Sequence, residues 1–484
     1  MSGADAVPQF ALAAARESTA ELALRERYGL FIGGEWSAAD DGATLAAVDP
    51  ATEATLAHVA RGSATDVDRA VRAARRGYDK YWRKLRPAER AKYLFRIARA
   101  VAERGAEFAL LETLDTGRPI RASREIDLPA VAAHLFYHAG WADKLEWAQH
   151  GGERPRAFGV VGAIVSSHAP LVAATLRLAP ALACGNTVVV KPAEATSLTA
   201  LRLAQVCEDA DLPPGVVNIV TGDAAAGVAL VEHPDVDKIA FSGSSETGKA
   251  IRRANAGHGR PLSLALGGKA ALIVFEDAPF DQALEAIALA IGVESGRAGC
   301  SGARLLLQES IAADLTDRLA ARIERLRHGD PLDQNTEIGA VVTRAERDRI
   351  AAFVRDGVDE GARLVQASWK PPERGFWYPA SLFTVQPSHR VAREETAGPV
   401  LSIMTFRTPA EAIERANATP YGLSAGLWTS DGALAAYVAR RLDAGVVWCN
   451  TVNRFDPSAP SGGMKESGLG RDGGVAGLRE YLAR

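Results

Sequence analysis

The sequence predicts an α/β protein built on two largely parallel sheets, and three observations carry that expectation. From residue 158, strand-like VVGAIV (160–165), NTVVV (186–190), VVNIV (216–220) and KIAF (238–241) are separated by helical stretches near 172–183, 197–209 and 224–231. Alternation at this spacing makes parallel βαβ units with right-handed crossovers. A second alternation begins near 270, with ALIVF (271–275), RLLLQ (304–308), VLSIMTF (400–406), LSAGLW (423–428) and VVWCN (446–450) as strands. Helices near 279–294, 309–327, 408–417 and 431–442 lie between or beside them. The chain has 484 residues, 47% hydrophobic and 24% charged. That is ordinary globular composition, and the length allows about three domains at ~150 residues each.

Taken in order, the apolar positions of 9–25 suit an amphipathic helix, so residues 1–27 are expected to form an N-terminal helical arm. Residues 31–60 carry short apolar runs broken by Gly, Asp and Pro, which suggest strands and turns. Residues 64–150 look helical, with Asp66 and Asp68 at a helix start and long periodic stretches at 87–114 and 123–147. The first strand–helix block should offer a nucleotide-type crevice at its strand C-termini. Segment 328–398, with scattered Pro and Gly, gives no clear pattern, and the tail from Gly462 is Gly-rich and then amphipathic.

Several function classes drop out early. Lys plus Arg is 56 and Asp plus Glu is 59, a net charge of −3, so no basic excess points to nucleic acid or an anionic membrane. Cys184, Cys207, Cys300 and Cys449 are far apart and form no CxxC pair, which argues against a disulfide scaffold and a zinc ribbon. The nine histidines show no HExxH spacing, so metal catalysis is set aside. The N-terminus lacks a basic n-region, and no apolar run reaches the roughly 18 residues of a membrane span. A cytoplasmic protein is the default expectation.

Gly243-Ser-Ser-Glu-Thr-Gly248-Lys249 almost spells a phosphate-cradling P-loop, but Ala250 stands where Ser or Thr should hold Mg²⁺. No GxGxxG occurs. A Gly-rich turn after a strand can still seat a pyrophosphate at a helix N-terminus.

The stretch LVAATLRLAPALACGNTVVVKPAEATSLTALRLAQVCEDADLPPGVVNIVTG (171–222) closely resembles the aldehyde dehydrogenase superfamily. So do HPDVDKIAFSGSSETGKAI (233–251), LALGGKAALIVFEDA (264–278), EETAGPVLSI (394–403) and SGGMKESGLGRDGGVAGLREYL (461–482). The resemblance implies two Rossmann-like α/β domains and a small β oligomerisation arm. An NAD-binding domain would take 28–139 and 159–265, a catalytic-type domain 266–461, and the arm and tail 140–158 with 462–484. Arm and tail would build a homodimer or tetramer. Lys191 and Glu194 match the positions that hold the adenosine ribose, and a carboxylate there favours NAD over NADP. Gly243 and Ser244 match the pyrophosphate turn, and Glu395 the grip on the nicotinamide ribose. Ala397 stands where the family often has a Phe against the nicotinamide.

The catalytic side departs from the family. Its chemistry needs a thiolate nucleophile, an amide and a backbone N–H for the oxyanion, and a carboxylate to activate water. Gly296 and Arg304 keep the family spacing, so Gly299 occupies the nucleophile position and Cys300 lies one residue late. One residue moves the Cα by ~3.8 Å, and thiolate attack tolerates little misplacement. Ala265 stands at the general-base position, His168 at the oxyanion Asn, and Arg297 at a Gln. LALG and CSGARLLLQES resemble the non-catalytic domain of the two-domain, family 16 branch.

Two readings follow. One is a catalytically silent NAD-binding subunit that pairs with a catalytic aldehyde dehydrogenase relative. The other is an active enzyme for a small aldehyde, using Cys300 with His168 or Glu294 as base. Hydrolysis by Ser166 or Ser167 with His168 lacks an identifiable orienting acid.

Overall fold

The computed structural model describes residues 13–20, 22–148, 155–292, 296, 300 and 303–483. Among these, eight strands form a first sheet in the order Gly468–Leu469, Leu262–Ala265, Lys238–Ser242, Val160–Ile164, Thr187–Lys191, Val217–Ile219, Leu30–Ile32, Glu35–Ser37. The five central strands are parallel. Val160–Ile164 and Thr187–Lys191, at the sheet's centre, are buried at every residue, as a sheet covered on both faces requires. Antiparallel strands close both edges.

The chain lays down Val160–Ile164, then Thr187–Lys191 and Val217–Ile219 on one side, and crosses to Lys238–Ser242 and Leu262–Ala265 on the other. The order therefore reverses between Val160–Ile164 and Lys238–Ser242. A crevice opens at the carboxyl ends of such a strand pair. Ser166 N–H donates to Ser242 Oγ across that point (3.3 Å).

Helices cover the faces. Ala64–Lys80 begins at a capping box in which Ser63 and the fully buried Asp66 each bond the other's backbone. Pro87–Glu103, Gly105–Thr116 and Leu128–Trp141 build the expected helical layer. A second sheet of seven strands runs Arg363–Gln366, Ser381–Thr384, Val400–Phe406, Arg304–Gln308, Ala271–Val274, Ser424–Trp428, Val446–Cys449. Only Arg363–Gln366 is antiparallel to its neighbour. The two sheets are joined by Leu266–Ala270, directly after the strand Leu262–Ala265.

The segment 328–398, which gave no clear pattern in the sequence, supplies two of those strands and the helix Arg344–Asp359. Thr343 caps that helix, accepting the Glu346 N–H (3.1 Å). Thr343-Arg-Ala-Glu346 was a legible start signal among the Pro and Gly.

The helical arm expected over 1–27 is corrected where the chain is described; residues 1–12 and 21 lie outside the described residues. Residues 13–20 and 22–27 carry no helix. From Ala15 to Arg25 half-buried and exposed residues alternate along the described chain, with a turn in which Leu22 N–H donates to Thr19 O (3.0 Å). Glu17 N–H donates to Leu332 O (2.9 Å), and Gln334 N–H to Ala15 O (3.1 Å). Leu22 and Leu24, two residues apart, both pack on the core of the first sheet. Leu24 N–H donates to Leu22 O (3.1 Å). Backbone pairing with 332–334 wins over the weak propensity of an Ala-rich stretch.

In the expected arm, residues 149–154 lie outside the described residues. Arg156–Ala157 pairs antiparallel with Leu482–Ala483 of the tail. Arg177 ion-pairs with Asp472, and Asn186 Nδ2 donates to Tyr481 O (2.9 Å), which seats the tail on the first sheet's helices.

Candidate functional site

The crevice at the strand reversal gathers most of the sequence-singled residues. Ser166, Ser167 and His168 follow the strand Val160–Ile164 and are half-buried. Ala169 takes a left-handed φ of 44° and leads into the helix Pro170–Ala183, with Pro at its first position. Ser166 Oγ donates to the His168 carbonyl (3.3 Å), so this hydroxyl is held by backbone. Under the helix start, Leu171 N–H donates to Glu112 Oε1 (3.3 Å). Burial, then the like charge of Asp127, pushes the Glu112 carboxyl up to about 8.

Across the reversal, Lys238–Ser242 ends in Gly243 and the helix Ser245–Ala254. Ser244 caps it by accepting the Thr247 N–H (3.2 Å). A Cβ on Gly243 would lie 2.5 Å from the Phe241 ring, so glycine is needed there. The near-P-loop is thus a capped helix N-terminus, which favours anions through its free N–H groups and dipole. Gly243 N–H donates to Ala265 O (3.1 Å). This places Ala265 in the crevice, with only a methyl to offer.

Gly267 is where the two halves meet. A Cβ there would collide with Glu395 Oε2 and would stand 3.3 Å from Ser245 Oγ. Ser245 Oγ is buried without a hydrogen-bond partner. Glu395 accepts the Gly268 N–H, while burial raises its pKa above the ordinary carboxylate range. Ala397, two residues on, has φ 48°.

Lys191 ends the neighbouring strand and is 6% exposed. Burial lowers its pKa, against the pull of Glu194 and Asp223. Glu194 itself is exposed. Cys300 is half-buried, and its carbonyl accepts from Ser424 Oγ (3.3 Å). Gly299, Arg297 and Glu294 lie outside the described residues. Among the described residues no group of three His, Cys, Asp or Glu could hold a metal ion. No helix there is long and apolar enough to cross a membrane.

The crevice thus unites Ser166–His168, Gly243–Ser245, Ala265–Gly267 and Glu395. Sequence reasoning missed Ser245, Glu112 and Lys269. Ser245 and Lys269 sat inside the GSSETGK and LALGGK motifs, but only burial sets them apart.

The aldehyde dehydrogenase family model matches residues 36–484. The chain belongs to the aldehyde dehydrogenase family. Among relatives, it is 39% identical over 462 residues to a putative aldehyde dehydrogenase, DhaS, of Bacillus subtilis, covering 93% of each chain. It is 40% identical over 476 residues to betaine aldehyde dehydrogenase 1 of Oryza sativa, covering 94% of each. The NAD⁺ complex structure of aldehyde dehydrogenase from Bacillus cereus superposes with a TM-score of 0.93 at 34% identity, covering 97% of this chain and 98% of that one. The family's two-sheet α/β fold is the one described above.

Proposed function

We propose that this family member is an NAD-binding subunit that does not itself oxidise aldehydes. One observation carries the reading. Ala265, fixed beside Gly243 by the Gly243 N–H bond, offers only a methyl to the crevice where a water-activating carboxylate is needed.

The residues present fit the cofactor. Ser245 Oγ is an orphaned buried oxygen at a helix N-terminus, and Gly267 leaves a cradle that a Cβ would fill. Gly243, Ser244 and Ser245 would hold the pyrophosphate, Lys191 and Glu194 the adenosine ribose, and Glu395 the nicotinamide ribose. An exposed carboxylate at Glu194 accepts from two ribose hydroxyls and repels a 2′-phosphate, which favours NAD over NADP. NAD⁺ supplies a hydride acceptor when bound. His168 can donate a hydrogen bond toward an oxyanion, with a charge that depends on pH. A thiol one residue away from the Gly299 position is poorly aimed. The Arg156–Ala157 and Leu482–Ala483 ribbon suits assembly, either with copies of this chain or with a catalytic relative.

The test is NADH formation from NAD⁺ with short, long and aromatic aldehydes, run beside Cys300→Ala, with NADH binding measured on both proteins. Binding without turnover above Cys300→Ala is expected. Turnover that vanishes in Cys300→Ala would establish the second reading, an active enzyme with a displaced thiol. That reading draws on the half-buried Cys300, whose backbone is tied to Ser424.

A further inference from the structure

Residues 330–335 leave the half built on the second sheet as a tongue whose tip lands on the first. Its stem is held in its own half. Glu337 Oε1 accepts from Arg322 on the helix Glu309–Glu324 (2.7 Å), and Glu337 N–H donates to Arg327 O (2.8 Å). The tip crosses over. Leu332 is 2% exposed and packs in the core of the first sheet. From that half, Ile120 N–H donates to Pro331 O (2.8 Å). A cleft of about 240 Å³ lies beside the tip, lined by Arg16, Pro331 and Leu332 and by Thr52, Thr113 and Leu114 of the first half. Open space gives the tip no dispersion contacts on that side, so hydrogen bonds carry much of its attachment.

The N-terminal segment supplies them. Glu17 N–H donates to Leu332 O (2.9 Å) and Gln334 N–H to Ala15 O (3.1 Å). Asn335 Nδ2 donates to Ala13 O (3.0 Å) and Ala15 N–H to Asp333 Oδ1 (3.3 Å). The exposed Arg16–Asp330 pair adds little, so the bonds that involve backbone do most of the fastening. Farther along, the segment is anchored to the first half. Leu22 and Leu24 pack on its core, and Arg202 Nη2, on the helix Leu198–Asp209, donates to Ala23 O (2.9 Å).

We propose that residues 13–20 and 22–25 are a strap that fastens the tongue onto the first half and thereby holds the second half closed on the crevice. The effect on the crevice rests on the cofactor reading above. In that reading the first half supplies Lys191, Glu194 and Gly243–Ser245, and the second half supplies Glu395. A loosened tongue lets the second half draw back, so the grip of Glu395 weakens while the first half's contacts stay.

The first readout is amide exchange at Ile120, whose N–H is held by the tongue and not by the strap. Exchange there reports local opening of the tongue. The second is the affinity ratio of NADH to ADP, which carries the diphosphate and one ribose but no nicotinamide ribose. Both are measured on wild type, on Glu17→Pro, which deletes the N–H that bonds Leu332, and on Glu17→Ala, which keeps it. A third variant is Arg16→Cys/Asp333→Cys in a Cys449→Ala background, since Cys449 is exposed. Arg16 and Asp333 are partners in an antiparallel bridge whose N–H···O bonds are made by their neighbours. Cα atoms of such a pair stand about 4.5 Å apart, within reach of a disulfide. Glu17→Pro should raise exchange at Ile120 and lower the NADH-to-ADP ratio, each by up to roughly tenfold, the size of one hydrogen bond. Glu17→Ala should do less. The oxidised disulfide should hold both readouts at wild type or tighter, and reducing it should move both toward Glu17→Pro. Unchanged exchange at Ile120 in Glu17→Pro overturns the strap, as does an equal rise at Val189 in the strand Thr187–Lys191, which would mark general destabilisation. Exchange that rises with an unchanged ratio overturns its hold on the crevice. Wild type that binds neither NADH nor ADP overturns the cofactor reading, and exchange at Ile120 then decides the strap alone.

Discussion

The two sides of one crevice differ in what they still contain. On the cofactor side, the turn after Lys238–Ser242 is capped, Gly267 is bare enough for close approach, and Glu395 is held by the Gly268 N–H. On the catalytic side, Ala265 shares the same backbone ladder yet carries no group that moves a proton. The backbone hydrogen bonds that build the crevice do not depend on the side chain at 265. Strand pairing and acid–base catalysis draw on different atoms, so the backbone of such a crevice is independent of the chemistry its side chains can perform.

The sharpest way to break this contrast is to return the missing groups. Ala265→Glu with Gly299→Cys should raise NADH formation from aldehyde by at least about 100-fold over wild type, given the usual weight of one general base. No gain from a folded double variant would show that the crevice is misshapen as well as stripped. The cofactor side is tested by overfilling it. Gly267→Ala pushes a methyl into Glu395 Oε2. NADH binding should weaken by roughly tenfold or more, since overpacking costs about 1–3 kcal/mol, while ADP binding should change less.

A third effect lies beneath the catalytic side. Glu112, pushed up to about 8, is protonated in the folded protein at neutral pH and ionised when unfolded. Folding stability should therefore fall as pH rises from about 4.5 to 8 and level off above it. Glu112→Gln should flatten that slope, gaining urea resistance at pH 8 and little at pH 4.5. A slope identical to wild type would assign the pH dependence to other groups.

The smallest effect is expected far from the crevice. Arg16 pairs with Asp330 at 2.6 Å, but the side chains are 55% and 43% exposed. Arg16→Ala should cost less than about 1 kcal/mol, and less still at high salt. A larger loss would mean that the N-terminal segment holds the 330–334 loop through that pair more than through its backbone bonds.

Much of this was readable residue by residue. Apolar runs such as VVGAIV and RLLLQ became Val160–Ile164 and Arg304–Gln308 because a strand buried on both faces needs an unbroken apolar stretch. The GSSETGK turn, the KPAE segment and Glu395 were legible as motifs. The N-terminal segment misled because Ala-rich composition suits a helix, whereas its backbone pairs with residues 332–334 and Leu22 and Leu24 pack on the core without helix.

What the sequence by itself determined is the period of each element, the family, and the identity of Ala265 and Gly299. What only the tertiary structure decided is which distant groups share one place. Gly468–Leu469 closes the first sheet's edge beside Leu262–Ala265, and Glu395, from ahead of the strand Val400–Phe406, arrives at Gly267. Lys269, an ordinary lysine in the sequence, is only 1% exposed in the fold. Local patterns fix a backbone period, but burial and electrostatic partnership arise from contacts between residues far apart in the chain, and no window of sequence contains them.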